Sequence, residues 1–141
     1  MTIIGKILMS LGVAVFTILP PVMDLMTKTH VFHEGWLPHA RLHAVWLIGV
    51  TTGIGLISLY FLWLRKTDPR FNINLAGLLS SIVLGTFFLS VFSAPLYDGA
   101  VVPIDRAVNA GPFGFDGNAF VFGIATLLLI LGWIVSTWKR T

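Results

Sequence analysis

The sequence predicts an all-α integral membrane protein, a four-transmembrane-helix bundle formed by residues 1–141 as one domain, with both termini cytoplasmic. Three observations lead there. Of 141 residues, 56% are hydrophobic and only 11% charged, whereas charged residues make up about a quarter of a soluble domain. Four apolar stretches, at about 3–24, 39–64, 73–96 and 115–138, each reach the roughly 20 residues that carry a helix across a ~30 Å hydrocarbon core. The basic residues also sort by side: Lys6, Arg65, Lys66, Arg70, Lys139 and Arg140 share one end, and only Lys28, Arg41 and Arg106 fall at the other. Because cytoplasmic connections collect lysine and arginine, the first end is placed inside.

The first stretch begins like a signal peptide, with a lysine followed by apolar residues, but runs to Pro20-Pro21 without a small-x-small cleavage pattern. It is read as a retained helix. The second and third stretches carry Gly49 and Gly53, and Gly77, Ser81 and Gly85, small residues four apart that would let these two helices approach closely. Ser80, Thr86, Ser90 and Ser93 are expected to bond back to carbonyls of their own helix. Trp63 and Trp138 fall at the inner interface and Trp36 at the outer one, where amphipathic rings are favoured. The net charge of +3 is accounted for by topology, so no nucleic-acid partner is implied. Cysteine is absent, which excludes disulfides and thiolate metal ligands.

In this orientation Asp24, Glu34, Asp98, Asp105 and Asp116 lie outside together with His30, His33, His39 and His43; only Asp68 is inside. Acids alone would suit a solvated outer connection, but four histidines within fourteen residues call for another account. Pro38 fits the first turn of a helix, where its missing amide hydrogen costs nothing. From that start His39 and His43 stand four apart on one face, and two imidazoles so placed can hold one metal ion. His43 lies at the edge of the hydrocarbon, where an ionisable group normally faces a bundle interior or a wet cavity. Asp24 closes the first helix at the same level and Asp116, followed by Asn118, opens the fourth. The expected site therefore joins His30, His39, His43, Asp24 and Asp116 as metal ligands, with Asp24 or Asp116 also available as a catalytic base.

Imidazole and carboxylate without thiolate suit a divalent transition metal, Zn, Fe, Mn or Cu. Such an ion lowers the pKa of a bound water or binds a reacting oxygen, and carboxylates that do not ligate can orient the imidazoles. Other readings stand beside this one. The His39/His43 pair can be hydrogen bonded or proton-handling without a metal, or plainly interfacial. Asp116 and Asn118 can cap the fourth helix. Arg41 points away from the histidine face, toward a lipid phosphate or an outer acid. Glu34 beside His33 lacks the second histidine of a zincin helix, which removes that reading. The third connection, about Tyr97 to Gly114, is long enough for a lid or a docking surface and carries Asp98, Asp105 and Arg106.

The block Asp24, Thr29-His30, Trp36, Pro38-His39-Ala40-Arg41 and His43 resembles the hallmark of a family of small four-helix integral membrane proteins: an Asp, a Thr-His, then Trp-x-Pro-His-Ala-Arg-x-His. The likeness covers about twenty residues and the four-helix layout. It implies a shared polar site and brings no activity with it; His33 and Glu34 fall outside it. Two functions follow. One is a metal-dependent enzyme, an oxidoreductase, hydrolase or isomerase acting on a lipophilic small molecule from the outer leaflet of a plasma or inner membrane. The other is a non-catalytic subunit or anchor, in a homo-oligomer or larger membrane complex, that docks a partner or cofactor through its outer polar face. A transporter ranks third, because no ionisable residue occupies the middle of a span.

Overall fold

The structure, a computed structural model, describes residues 2–28, 30–100, 112 and 116–138. Four helices in it are long and apolar enough to cross a membrane, as expected. Helix α1 (Ile3–Pro20) runs on into a wide π turn at Pro21–Leu25; α2 spans Pro38–Trp63, α3 Pro69–Ser93 with a tight 3-10 turn at Ala94–Leu96, and α4 Gly117–Thr137. The start of the expected fourth segment, residue 115, and Asp105, Arg106, Lys139, Arg140 and Thr29 lie outside the described residues.

Local chemistry explains the boundaries. The Thr2 hydroxyl caps α1 by accepting from the Gly5 amide. Pro20 and Pro21 offer no amide hydrogens, so the regular ladder cannot be continued and the chain widens over the next turn. Pro38 opens α2 at its first position. The third helix begins at Pro69, a turn before the expected residue 73. Its first turn holds Arg70 and Asn72 and so does not read as apolar, but Pro69 and the Asp68 cap, which accepts from the Phe71 amide at 3.2 Å, start it there. Asp68 sits at φ 44°, a left-handed conformation that aspartate tolerates better than most residues.

The helices pack as a ring: α1 lies against α4 and α2, and α3 against α2 and α4. The Thr2 hydroxyl meets the Val135 carbonyl, and the Trp63 indole donates to Ser10 at 2.8 Å. Asn72 reaches back to the α2–α3 connection through Arg65 O and Thr67 O. One end of the bundle, the basic end, thus holds the start of α1, the end of α2, the start of α3 and the end of α4. The other, the histidine end, holds the α1–α2 connection and the start of α4.

The closest helix approach is not the expected one. Gly49, Gly53 and Gly85 have open space where a side chain would point, so α2 and α3 do not meet through them. Instead α1 and α4 come together backbone to backbone: a Cβ on Gly132 would stand 2.6 Å from Gly5 O, and one on Gly12 would stand 2.6 Å from Ala125 O. Without a hydrophobic drive between helices in lipid, such close contact is the main source of association. Ser80 is a second departure. Its hydroxyl crosses to Ser58 of α2 at 3.3 Å rather than bonding within α3, whereas Thr86, Ser90 and Ser93 do bond back to their own helix. Around these contacts Met9, Val13, Phe16, Leu62, Ile73, Ala76, Leu84, Ala125 and Leu129 form the core. Nearly all of it lies in the basic half and middle of the bundle, and only 22–33% of each span is buried. The apolar remainder faces outward, as it does when lipid is the solvent.

Candidate functional site

At the histidine end the chain leaves the π turn and doubles back. The Val31 amide donates to Asp24 O at 3.3 Å, and the Thr27 hydroxyl donates to Met23 O. This return places the His30 Nδ1 3.0 Å from Asp24 Oδ1, with both side chains only a quarter to a third exposed. The Trp36 indole meets the His30 ring edge-on at 5.8 Å. The rest of the connection is held by its own polar groups. The His33 amide donates to His30 O, the Trp36 amide to His33 O, and the Gly35 amide to His33 Nδ1 at 3.1 Å. The Arg41 guanidinium donates to His33 O at 2.9 Å, which fastens the connection to α2.

On α2 the expected pair is formed. His39 Nε2 and His43 Nε2 stand 3.0 Å apart and the two rings meet edge to face at 4.5 Å. Trp46 lies one turn further along, 6.0 Å from His43. Both imidazoles are exposed. The reason is angular: α2 buries Ile48, Gly55, Ser58 and Leu62, and at ~100° per residue His43 is turned ~140° and His39 ~180° away from Ile48. Leu42, Val45, Trp46 and Leu47 share this outward exposure.

Asp116 takes up its capping role. Its Oδ1 accepts from the Asn118 amide at 2.8 Å and the Ala119 amide at 3.1 Å, satisfying two of the donors that a helix start leaves open. Its Oδ2 is shielded from solvent and has no hydrogen-bond partner among the described residues.

The five expected ligands are therefore divided. Asp24 and His30 form one pair, His39 and His43 a second, and Asp116 belongs to its own helix. Among the described residues no three histidine or acidic side chains gather closely enough to hold a metal ion, so the single three-helix cluster is not assembled by them. Spacing along one helix settles that His39 and His43 meet. It does not settle where their face points, which depends on which side of α2 packs into the bundle. The arrangement offers two kinds of chemistry: an acid–imidazole pair able to pass a proton, and two imidazole Nε2 atoms within hydrogen-bond distance of each other.

Two asparagines at the basic end, Asn72 and Asn74, play no part in the expected site. Asn74 accepts from the Trp133 indole at 2.9 Å, and Asn72 is almost fully buried. Their signal was available: asparagines at the start of an apolar span need partners. Compared with known protein families, with curated proteins and with solved structures, the chain gives no match.

Proposed function

We propose that the chain is an integral membrane subunit, oriented with its termini in the cytoplasm, whose histidine end docks a partner at the outer leaflet and shares a divalent transition metal ion with it through His39 and His43. The 3.0 Å separation of the two Nε2 atoms carries this reading. Metal–imidazole bonds of ~2.0–2.1 Å at tetrahedral to right angles put two ligand nitrogens roughly 2.9–3.4 Å apart, so both rings could bind one ion from close to the arrangement they have. With Nδ1 of each ring carrying its hydrogen, both Nε2 lone pairs are available. Two ligands do not complete a site, and these two face away from the bundle, so the remaining ligands come from outside it.

Open packing supports the docking half of the proposal. The α2 surface from His39 to Leu47 is mostly exposed, and Gly49, Gly53 and Gly85 leave space unfilled. A partner helix would find small residues and an apolar surface there.

A second reading is favoured by the same outward exposure. A lipophilic small molecule in the outer leaflet could reach the His39/His43 pair directly, with the ion acting as a Lewis acid and the Asp24–His30 pair as proton acceptor. That would make the protein a metal-dependent oxidoreductase, hydrolase or isomerase.

Gentle extraction and elemental analysis separate these readings. The subunit reading expects an assembly larger than one chain that holds zinc, iron, manganese or copper, and expects His39→Ala/His43→Ala to lower the metal content at least tenfold and release the assembly. An enzyme acting alone would keep its metal as a monomer. A native assembly free of metal, or metal retained by the double variant, would refute the shared-ion proposal.

A further inference from the structure

The basic end contains a built cleft of about 190 Å³, lined among others by Lys6, Trp63, Arg65, Lys66 and Asn72. The elements meet there for local reasons. Lys6 lies one turn into α1, Arg65 and Lys66 follow the end of α2, and Asn72 sits in the first turn of α3. All three cations are therefore at the level where a span leaves the hydrocarbon. Among the described residues no carboxylate forms an ion pair with them; the Arg65 guanidinium stacks near Phe61 and Phe71 at 5.4 and 5.3 Å and donates to the Thr67 hydroxyl, and the Lys6 ammonium lies 5.6 Å from the centre of the Trp63 ring.

Asn72 adds a second, independent feature. Its Nδ2 donates to Arg65 O at 3.0 Å and Thr67 O at 2.8 Å, which fixes the orientation of the amide, since only the nitrogen can face two carbonyls. The Oδ1 is then left over. It is buried, in a side chain whose residue is 2% exposed, and has no hydrogen-bond partner among the described residues. This oxygen is enclosed by protein, so Asn72 shapes the wall of the cleft and does not itself reach into it.

We propose that this cleft binds the headgroup of an anionic phospholipid: Lys6, Arg65 and Lys66 hold the phosphate, and Asn72, through its bonds to Arg65 O and Thr67 O, fixes the connection that carries two of these cations. Cations clustered where helices leave the cytoplasmic face are a physical match for anionic lipid, and the tryptophan at the rim suits the interface. The site is separate from the histidine end and stands whether or not a metal binds there.

Native mass spectrometry of the detergent-purified full chain, titrated with defined lipids, tests the proposal. Phosphatidylglycerol, and phosphatidylmethanol of the same charge, are expected to bind at least tenfold more tightly than zwitterionic phosphatidylcholine. Glycerol phosphate and inorganic phosphate at the same concentration should not displace it, because they lack the acyl chains that anchor the headgroup in the membrane. Lys6→Gln/Lys66→Gln should remove the preference over phosphatidylcholine while leaving the helix content by circular dichroism unchanged. Displacement by free phosphate would make this a soluble-anion site, and equal binding of phosphatidylcholine would remove the site altogether. The lipid comparison is made on the native chain and does not depend on a variant folding.

Discussion

The two ends of this bundle use their polar groups in opposite ways. At the histidine end the groups satisfy one another locally: Asp24 with His30, His39 with His43, Asp116 with the first amides of α4. Each such partnership is set within a few residues of sequence and leaves the helix surfaces open. At the basic end the polar groups are joined across elements, with Trp63 reaching Ser10, Trp133 reaching Asn74 and Asn72 holding the α2–α3 connection. The close α1–α4 seam lies toward this end too. Packing is thus concentrated where topology places the lysines and arginines, and the end richest in titratable groups is the one left available to others.

The difference can be broken most forcefully with volume. Gly132→Leu or Gly12→Leu inserts side-chain atoms where 2.6 Å separates a Cβ from facing backbone, and backbone cannot give way as a side chain can. We expect at least 1–3 kcal/mol of destabilisation, read as a large fall in the unfolding midpoint in detergent. Gly53→Leu, by contrast, should leave the isolated chain within about 0.5 kcal/mol and instead disrupt any assembly seen on gel filtration. Should Gly53→Leu unfold the monomer, the middle of α2 would be more closely packed than the open space beside Gly53 indicates.

Charge offers a smaller effect. Asp24→Asn keeps an acceptor for His30 but removes the charge assistance of a partly buried bond, which costs about 1 kcal/mol. The return of the connection over α1 should loosen, and because Trp36 rests against His30, its fluorescence should shift toward a more solvated emission. An unchanged spectrum would mean that the backbone bonds around His33 hold the connection without the pair.

The cap of α4 offers an effect of similar size or smaller. Asp116→Ala should cost about 1 kcal/mol and Asp116→Ser much less, since serine also accepts from the open amides. If Asp116→Ser proved as harmful as alanine, the second carboxylate oxygen, shielded and without a hydrogen-bond partner among the described residues, would have a role that capping does not explain.

Much of this was legible from residue order alone. Span number and approximate limits follow from apolar length, the start of α2 from Pro38, the cap of α4 from Asp116, and the His39/His43 contact from a four-residue spacing on one helix. All of these are local: they depend on backbone periodicity or on groups a turn apart. What residue order left undecided is which way each helix turns. Small residues recur on all four helices, and only packing chose the α1–α4 seam of Gly5, Gly12 and Gly132 over Gly49, Gly53 and Gly85. That choice rotated His39 and His43 outward, separated them from Asp24 and Asp116, and drew Lys6, Arg65, Lys66 and Asn72 around one cleft. The physical reason is that bilayer span is a property of each segment by itself, whereas helix rotation minimises contact energy over all four at once, and in lipid no hydrophobic gradient marks the inner face in advance.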